Sequence, residues 1–201
     1  MLHALPSLKS AAVLFACSVL ACFSSSISAE DATALSFVDR LNAELQRAAH
    51  WNSDQGATAR AVCEHISRSL LDLTTMMETA SSGVIASMDR AQRATYKSAF
   101  IARVVRDCSA NVKDYLGHNV ELAGVRPLKS GAMIIATRSQ SDVAPSRLVM
   151  WQVQAQTSGE PVVQDIFVDG RSAMLTLREE AANALSRDPA NFDALILTLI
   201  R

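Results

Sequence analysis

The feature that most constrains this chain is a change of hydrophobic period near its middle. Four segments, 118–125 (HNVELAGV), 132–139 (AMIIATRS), 147–156 (RLVMWQVQAQ) and 161–169 (PVVQDIFVD), read as β-strands. The gaps between them carry turn chemistry: Lys129-Ser130-Gly131, the stretch Asp142 to Pro145, and Ser158-Gly159. Gaps this short cannot hold a crossover, so neighbouring strands must run antiparallel. In the third segment Val149, Trp151, Val153 and Ala155 share one face, and Gln152, Gln154 and Gln156 the other. The sheet is therefore expected to have one covered side and one wet side.

Helical periodicity flanks these strands. Residues 31–50 repeat apolar side chains at Ala34, Phe37, Val38, Leu41, Leu45 and Ala48. After a polar break at 52–56, one stripe runs from Thr58 through Val62, Ile66, Leu70, Leu73 and Met77, up to Ser81-Ser82-Gly83. A third helix opens with a capping box, Asp89 and Gln92, and lines one face with Tyr96, Phe100, Val104, Cys108, Val112 and Tyr115. Gly117 is placed to end it. After the strands, Thr176 and Glu179 form a second capping box, and Asp188-Pro189 predicts the start of a last helix carrying Phe192, Leu195, Ile196 and Leu199. The fold class is α+β, helices packed on a curved four-stranded antiparallel sheet.

The first 29 residues stand apart. Lys9, an apolar run over 11–23 and a Ser-Ile-Ser-Ala end make a secretory signal peptide, with the folded domain over 30–201. The apolar run is too short to span a bilayer. A rival reading takes Val19-Leu20-Ala21-Cys22 as a lipobox and anchors the protein at Cys22. Removing Lys9 from 19 basic residues leaves 18 against 20 acidic ones, a net charge of -2 with no single-sign block, which disfavours nucleic acid as a partner. Cys63 and Cys108 survive cleavage. An oxidising compartment allows a disulfide between them, and two buried thiols fit the sequence equally well.

Catalytic chemistry is hard to find. His50, His65 and His118 are scattered, and Cys63 and His65 point to different helix faces, against a metal site. There is no nucleophile elbow, Ser-x-x-Lys, phosphate loop or dinucleotide fingerprint. Asp165 and Asp169 share a strand face and could act as an acid–base pair, but a polar strand end and a turn residue explain them more simply. What remains is inward apolar surface from both layers. The sheet offers Met133, Ile135, Val149, Trp151, Val153 and Val163. The helices offer Met76, Met77, Phe100, Val104, Cys108, Met174 and Leu177. Methionines are flexible enough to line an adaptable pocket.

"DIFVDGRSAM" (165–174) followed by Arg178 resembles the Asp-Val-x-Val-Glu-Gly-Val-Ser-Leu…Arg signature of the toluene-tolerance family, which groups MlaC and HpnM-type lipid-binding proteins. Gln92, Tyr96, Phe100 and Tyr115 fall on the spacing of that family's long helix. "VMWQVQ" (149–154) and "NFDALILTLI" (191–200) resemble two more of its segments. The resemblance implies a periplasmic shuttle that carries a phospholipid, or a hopanoid-type lipid, between membrane complexes. Its partners would be an inner-membrane ABC transporter of MCE type and an outer-membrane lipoprotein complex, and its role outer-membrane lipid asymmetry. It implies no cofactor and no catalysis, with the apolar set above lining a lipid cavity whose mouth is folded over by Ser172, Met174 and Leu177. Arg178 is then a surface residue or a partner of lipid phosphate. The sequence departs from the family at 77–90, which lacks its aromatics, at Gly159-Glu160-Pro161, and at Arg171, where the family has Val. The alternatives are an enzyme on a similar cone-shaped scaffold using Asp165, and an interaction protein with a filled core.

Overall fold

The computed structural model describes residues 28–54, 58–81, 83–112, 115–116, 118–139, 146–157, 159–186, 188 and 191–200. The expected secretion signal up to residue 27, Cys22, Ser82, Gly117, the 142–145 turn, Ser158 and Pro189 lie outside the described residues. Three helices come first: α1 (Ala29–Asp54), α2 (Ala59–Leu70) and α3 (Leu73–Ala80). A 3-10 turn (Val84–Ser87) leads to α4 (Arg90–Asn111). The strands β1 (Val120–Pro127), β2 (Met133–Ser139), β3 (Leu148–Ala155), β4 (Pro161–Val168) and β5 (Arg171–Ser172) follow, then α5 (Ala173–Leu185) and α6 (Phe192–Ile200). The sheet order is β1-β2-β3-β4-β5, antiparallel throughout.

The α+β class and the four long antiparallel strands stand as expected. The strand count does not. A fifth, two-residue strand pairs Val168 with Arg171 and Phe167 with Ser172. The chain reverses at Asp169-Gly170, both left-handed (φ 51 and 76). This two-residue hairpin turn suits an Asp-Gly pair, because only glycine holds such angles without steric penalty.

Several element boundaries also differ. α1 runs on to Asp54, through part of the expected 52–56 break. The single stripe over 58–77 is two helices, broken at Leu71-Asp72. Leu71 forms a parallel bridge to Val163, the Asp72 amide donates to the Val163 carbonyl (2.8 Å), and the Asp72 carboxylate caps α3 at Thr75 (3.1 Å). The break exists because the chain docks there on the outer edge of β4. α5 starts three residues before the expected Thr176 box, since Ser172 accepts from the Leu175 amide (2.9 Å). α6 starts at Phe192, not at Asp188-Pro189, and Asn191 receives the Ala194 amide (2.8 Å). The Asp89–Gln92 capping box forms as predicted.

Three apolar clusters hold these elements. α1 packs Ala34, Phe37, Val38, Leu41 and Leu45 on one sheet face, against Val120, Met133, Ile135, Val153 and Val163. A second cluster, among α3 to α6, centres on Met76, Tyr96, Phe100, Met174, Leu177, Leu195 and Leu199. The third is small and joins α1, α2 and α4 around Val62, Cys63 and Val105, and there Cys63 and Cys108 are disulfide-bonded.

Candidate apolar binding site

The expected lining residues do not form one set. Met133, Ile135, Val153 and Val163 are buried in the sheet cluster, with half-buried Trp151 packed against it. Met76, Phe100, Met174 and Leu177 are buried in the helical cluster, with half-buried Met77 and Val104 beside it. Val149 is buried but belongs to neither cluster. Among the described residues, Leu71 packs against both. Sequence reasoning missed it, since nothing in a helical stripe marks the residue at which a tertiary contact will break the helix.

Polar side chains brace the α1 and α2 side of the sheet cluster. The Trp151 indole Nε1 donates to Thr137 Oγ1 (2.8 Å), and its ring lies 5.8 Å from Phe37. Arg40 of α1 donates to the carbonyls of Pro161 (3.1 Å) and Ser69, tying α1 to the end of α2 and the start of β4. Buried Glu44 accepts from Arg47 (2.8 Å) and pairs with His65 Nε2 (2.8 Å), whose ring lies 4.7 Å from Trp51. His65 therefore faces α1 while Cys63 faces α4, as their spacing predicts.

Asp165, one of the two acids the sequence offers for catalysis, is engaged in structure. Its carboxylate accepts from the Ile166 amide (2.8 Å), the Met174 amide (3.1 Å) and the Ser172 hydroxyl. It pins the N-terminus of α5 to β4, where a negative charge is favoured by the helix dipole. Asp169 lies in the hairpin turn, with its backbone left-handed (φ 51). Among the described residues no group of three or more His, Cys, Asp or Glu could hold a metal ion.

A separate open groove, about 490 Å³ in volume, lies between α4, α5 and α6 and is lined by Arg103, Glu180, Asn183, Ala184 and Thr198. Arg103 is locked there by Asp107 (2.6 Å), Glu180 (3.2 Å) and the Thr198 carbonyl (2.8 Å). Burial alone lowers its pKa, but hydrogen bonds and charge from Asp107 and Glu180 more than offset that, so it ends above its usual value. These contacts brace α4 against α5 and α6.

The sequence profile of the family described as MlaC protein matches residues 36–201. The chain belongs to the MlaC family. No curated protein sequence matches it. Among solved structures, the fold is similar to a phospholipid-binding protein from Ralstonia solanacearum determined in complex with a phospholipid. The TM-score is 0.66 at 14% identity, covering 86% of this chain and 95% of that one. That likeness extends the MlaC-type fold over the helices and the sheet together.

Proposed function

We propose that this MlaC-family protein is a lipid-binding shuttle whose acyl chains lie along the boundary between the sheet cluster and the helical cluster. The observation that carries the reading is the division of the apolar residues into two packed groups meeting at Leu71, in a fold whose Ralstonia relative holds a phospholipid. Two groups packed separately can part without either losing its own contacts. A lipid chain inserted between them gains about 0.8 kcal/mol for each methylene removed from water. The charged headgroup must stay at the surface. Such a carrier needs no nucleophile, and the engagement of Asp165 in structure favours carriage over hydrolysis.

The finer reading is a protein exported by a signal peptide cleaved after Ala29, working in the periplasm. It moves a phospholipid, or a hopanoid-type lipid, between an inner-membrane ABC transporter of MCE type and an outer-membrane lipoprotein complex. The cavity is lined by Met76, Met77, Phe100, Val104, Met133, Ile135, Val149, Trp151, Val153, Val163, Met174 and Leu177. The test is native mass spectrometry of the protein purified without detergent from a Gram-negative periplasm, followed by solvent extraction. Bound lipid released by solvent is expected, and its mass names the cargo. A clean apo mass with no uptake from labelled vesicles would overturn the proposal and leave a filled-core interaction protein.

A further inference from the structure

The chain passes between the sheet cluster and the helical cluster in three places: from α2 to α3, from α4 to β1 and from β5 to α5. Two of these crossings lie side by side on β4. At the α2–α3 junction Leu71 bridges Val163, and the Asp72 amide donates to the Val163 carbonyl (2.8 Å). At the start of α5 the Asp165 carboxylate accepts from the Ser172 hydroxyl and the Met174 amide (3.1 Å). Val163 and Asp165 are two residues apart, so one short stretch of one strand holds both crossings. The third crossing leaves α4 past Val112 and Leu116, in the small third cluster. That cluster lies between the other two. Ile66 of α2 packs against it and the sheet cluster, and Ile101 of α4 against it and the helical cluster. α2 belongs with the sheet: Leu70 is buried there, Arg40 of α1 bonds the Ser69 carbonyl, and His65 pairs with Glu44 of α1 (2.8 Å). α4 belongs with the helices, through buried Tyr96 and Phe100. The Cys63–Cys108 disulfide therefore ties one cluster to the other.

We propose that this disulfide is a latch on the lipid boundary, and that its reduction speeds the exit of lipid. The proposal rests on the cargo reading above. The two crossings on β4 form the hinge, and the disulfide closes the side away from it. While the bond is intact, α4 cannot leave α2. Once it is open, that side is held by the packing of five buried side chains, Ala48, Val62, Cys63, Val105 and Val112. Such packing yields to a transient parting that a covalent bond forbids. Reduction takes a dithiol donor. Its thiolate attacks the disulfide, the mixed disulfide is resolved by its second thiol, and two electrons and two protons pass across. Cys63 and Cys108 become thiols as the donor becomes a disulfide. Cys63 is buried and Cys108 half-buried, so the donor approaches from the Cys108 side. The two thiols then pack as small apolar groups, so the latch opens without dismantling the fold.

The test is transfer of pyrene-labelled phosphatidylethanolamine from the loaded protein to vesicles of phosphatidylcholine. Free thiols are counted in each sample, and circular dichroism checks the fold. Exit from the reduced parent is expected to be at least about tenfold faster than from the oxidised parent, since a tether keeps its two ends at a high effective concentration. Cys63→Ala/Cys108→Ala should release at the fast rate with or without reductant. If the parent's bond resists reduction in the folded protein, this pair decides alone. Asn42→Ala is the control for plain loss of stability. It removes the two hydrogen bonds to Val120 (2.8 and 2.9 Å) at the β1 edge, across the sheet from the boundary. It should keep the slow rate and its response to reductant. Equal exit from the oxidised parent and the alanine pair, or an equal rise in Asn42→Ala, would overturn the latch. The two proposals fail differently. A protein that loads and then releases at one rate whatever the state of the bond sinks the latch alone. One that takes up no labelled lipid in any form sinks the cargo reading, and the latch with it.

Discussion

At the scale of single residues, Asp165 shows how a polar residue in an apolar strand reaches its role. Its sequence neighbours mark a strand that ends at Asp-Gly, and its carboxylate looks free for chemistry. The hairpin then returns Ser172 and the Met174 amide to it, and two of its three hydrogen bonds hold the start of α5. Asp165→Asn keeps the shape but loses one anionic acceptor. The expected result is a loss of about 1–3 kcal/mol in urea unfolding, and no change in any lipid hydrolysis. Tyr96 offers a pH test. It is almost wholly buried in the helical cluster, and burial pushes its hydroxyl up to about 12 from 10. The folded state therefore keeps its proton where the unfolded chain has lost it. The corresponding stability is complete below pH 10 and is lost as the pH rises toward 12, by about 1.4 kcal/mol at pH 11. Urea titrations at pH 9 and pH 11 should show this drop in the parent and a much smaller one in Tyr96→Phe.

At the scale of elements, the start of α4 was legible because its capping box, Asp89–Gln92, is local. The start of α5 was misplaced because a nearby motif competed. Thr176 and Glu179 have the right spacing for a box, but Ser172 is fixed by its pairing to Phe167 and caps first. The break between α2 and α3 had no local signal, because Leu70 and Leu73 continue the apolar stripe while Val163 captures Leu71 and Asp72. The Cys63–Cys108 disulfide joins α2 to α4 across 45 residues of sequence. Closing a loop of that length is worth about 4 kcal/mol in the chain-entropy account, with measured values often lower. Cys63→Ser/Cys108→Ser is expected to lose about 2–4 kcal/mol in thermal or urea unfolding, and a reducing agent should lower the parent's melting temperature but not the variant's.

At the scale of the whole molecule, the sheet is covered by α1 on one face, while α3 to α6 build a second core beside its β4 edge. The two cores share Leu71, and Trp151 sits half-buried against the first of them. If a lipid chain occupies their boundary, Trp151 passes from a partly wet to an apolar setting. In a Trp51→Phe background, where Trp151 is the single tryptophan, loading with phospholipid should move the emission to shorter wavelength. Unchanged emission in a protein shown by mass spectrometry to be loaded would place the chains elsewhere.

The sequence by itself determined the order of helices and strands, the antiparallel pairing and the wet and covered strand faces. These follow from period, turn chemistry and short gaps, all of which act within a few residues of each other. Only the tertiary structure decided that the two cysteines are joined, that β5 exists, that α2 and α3 are separate, and that the apolar residues divide into two cores. Each of these depends on groups far apart in the chain being brought to one place. Val163 meets Leu71, Cys63 meets Cys108, and Asp165 meets Ser172 only when the sheet edge and the helices have docked.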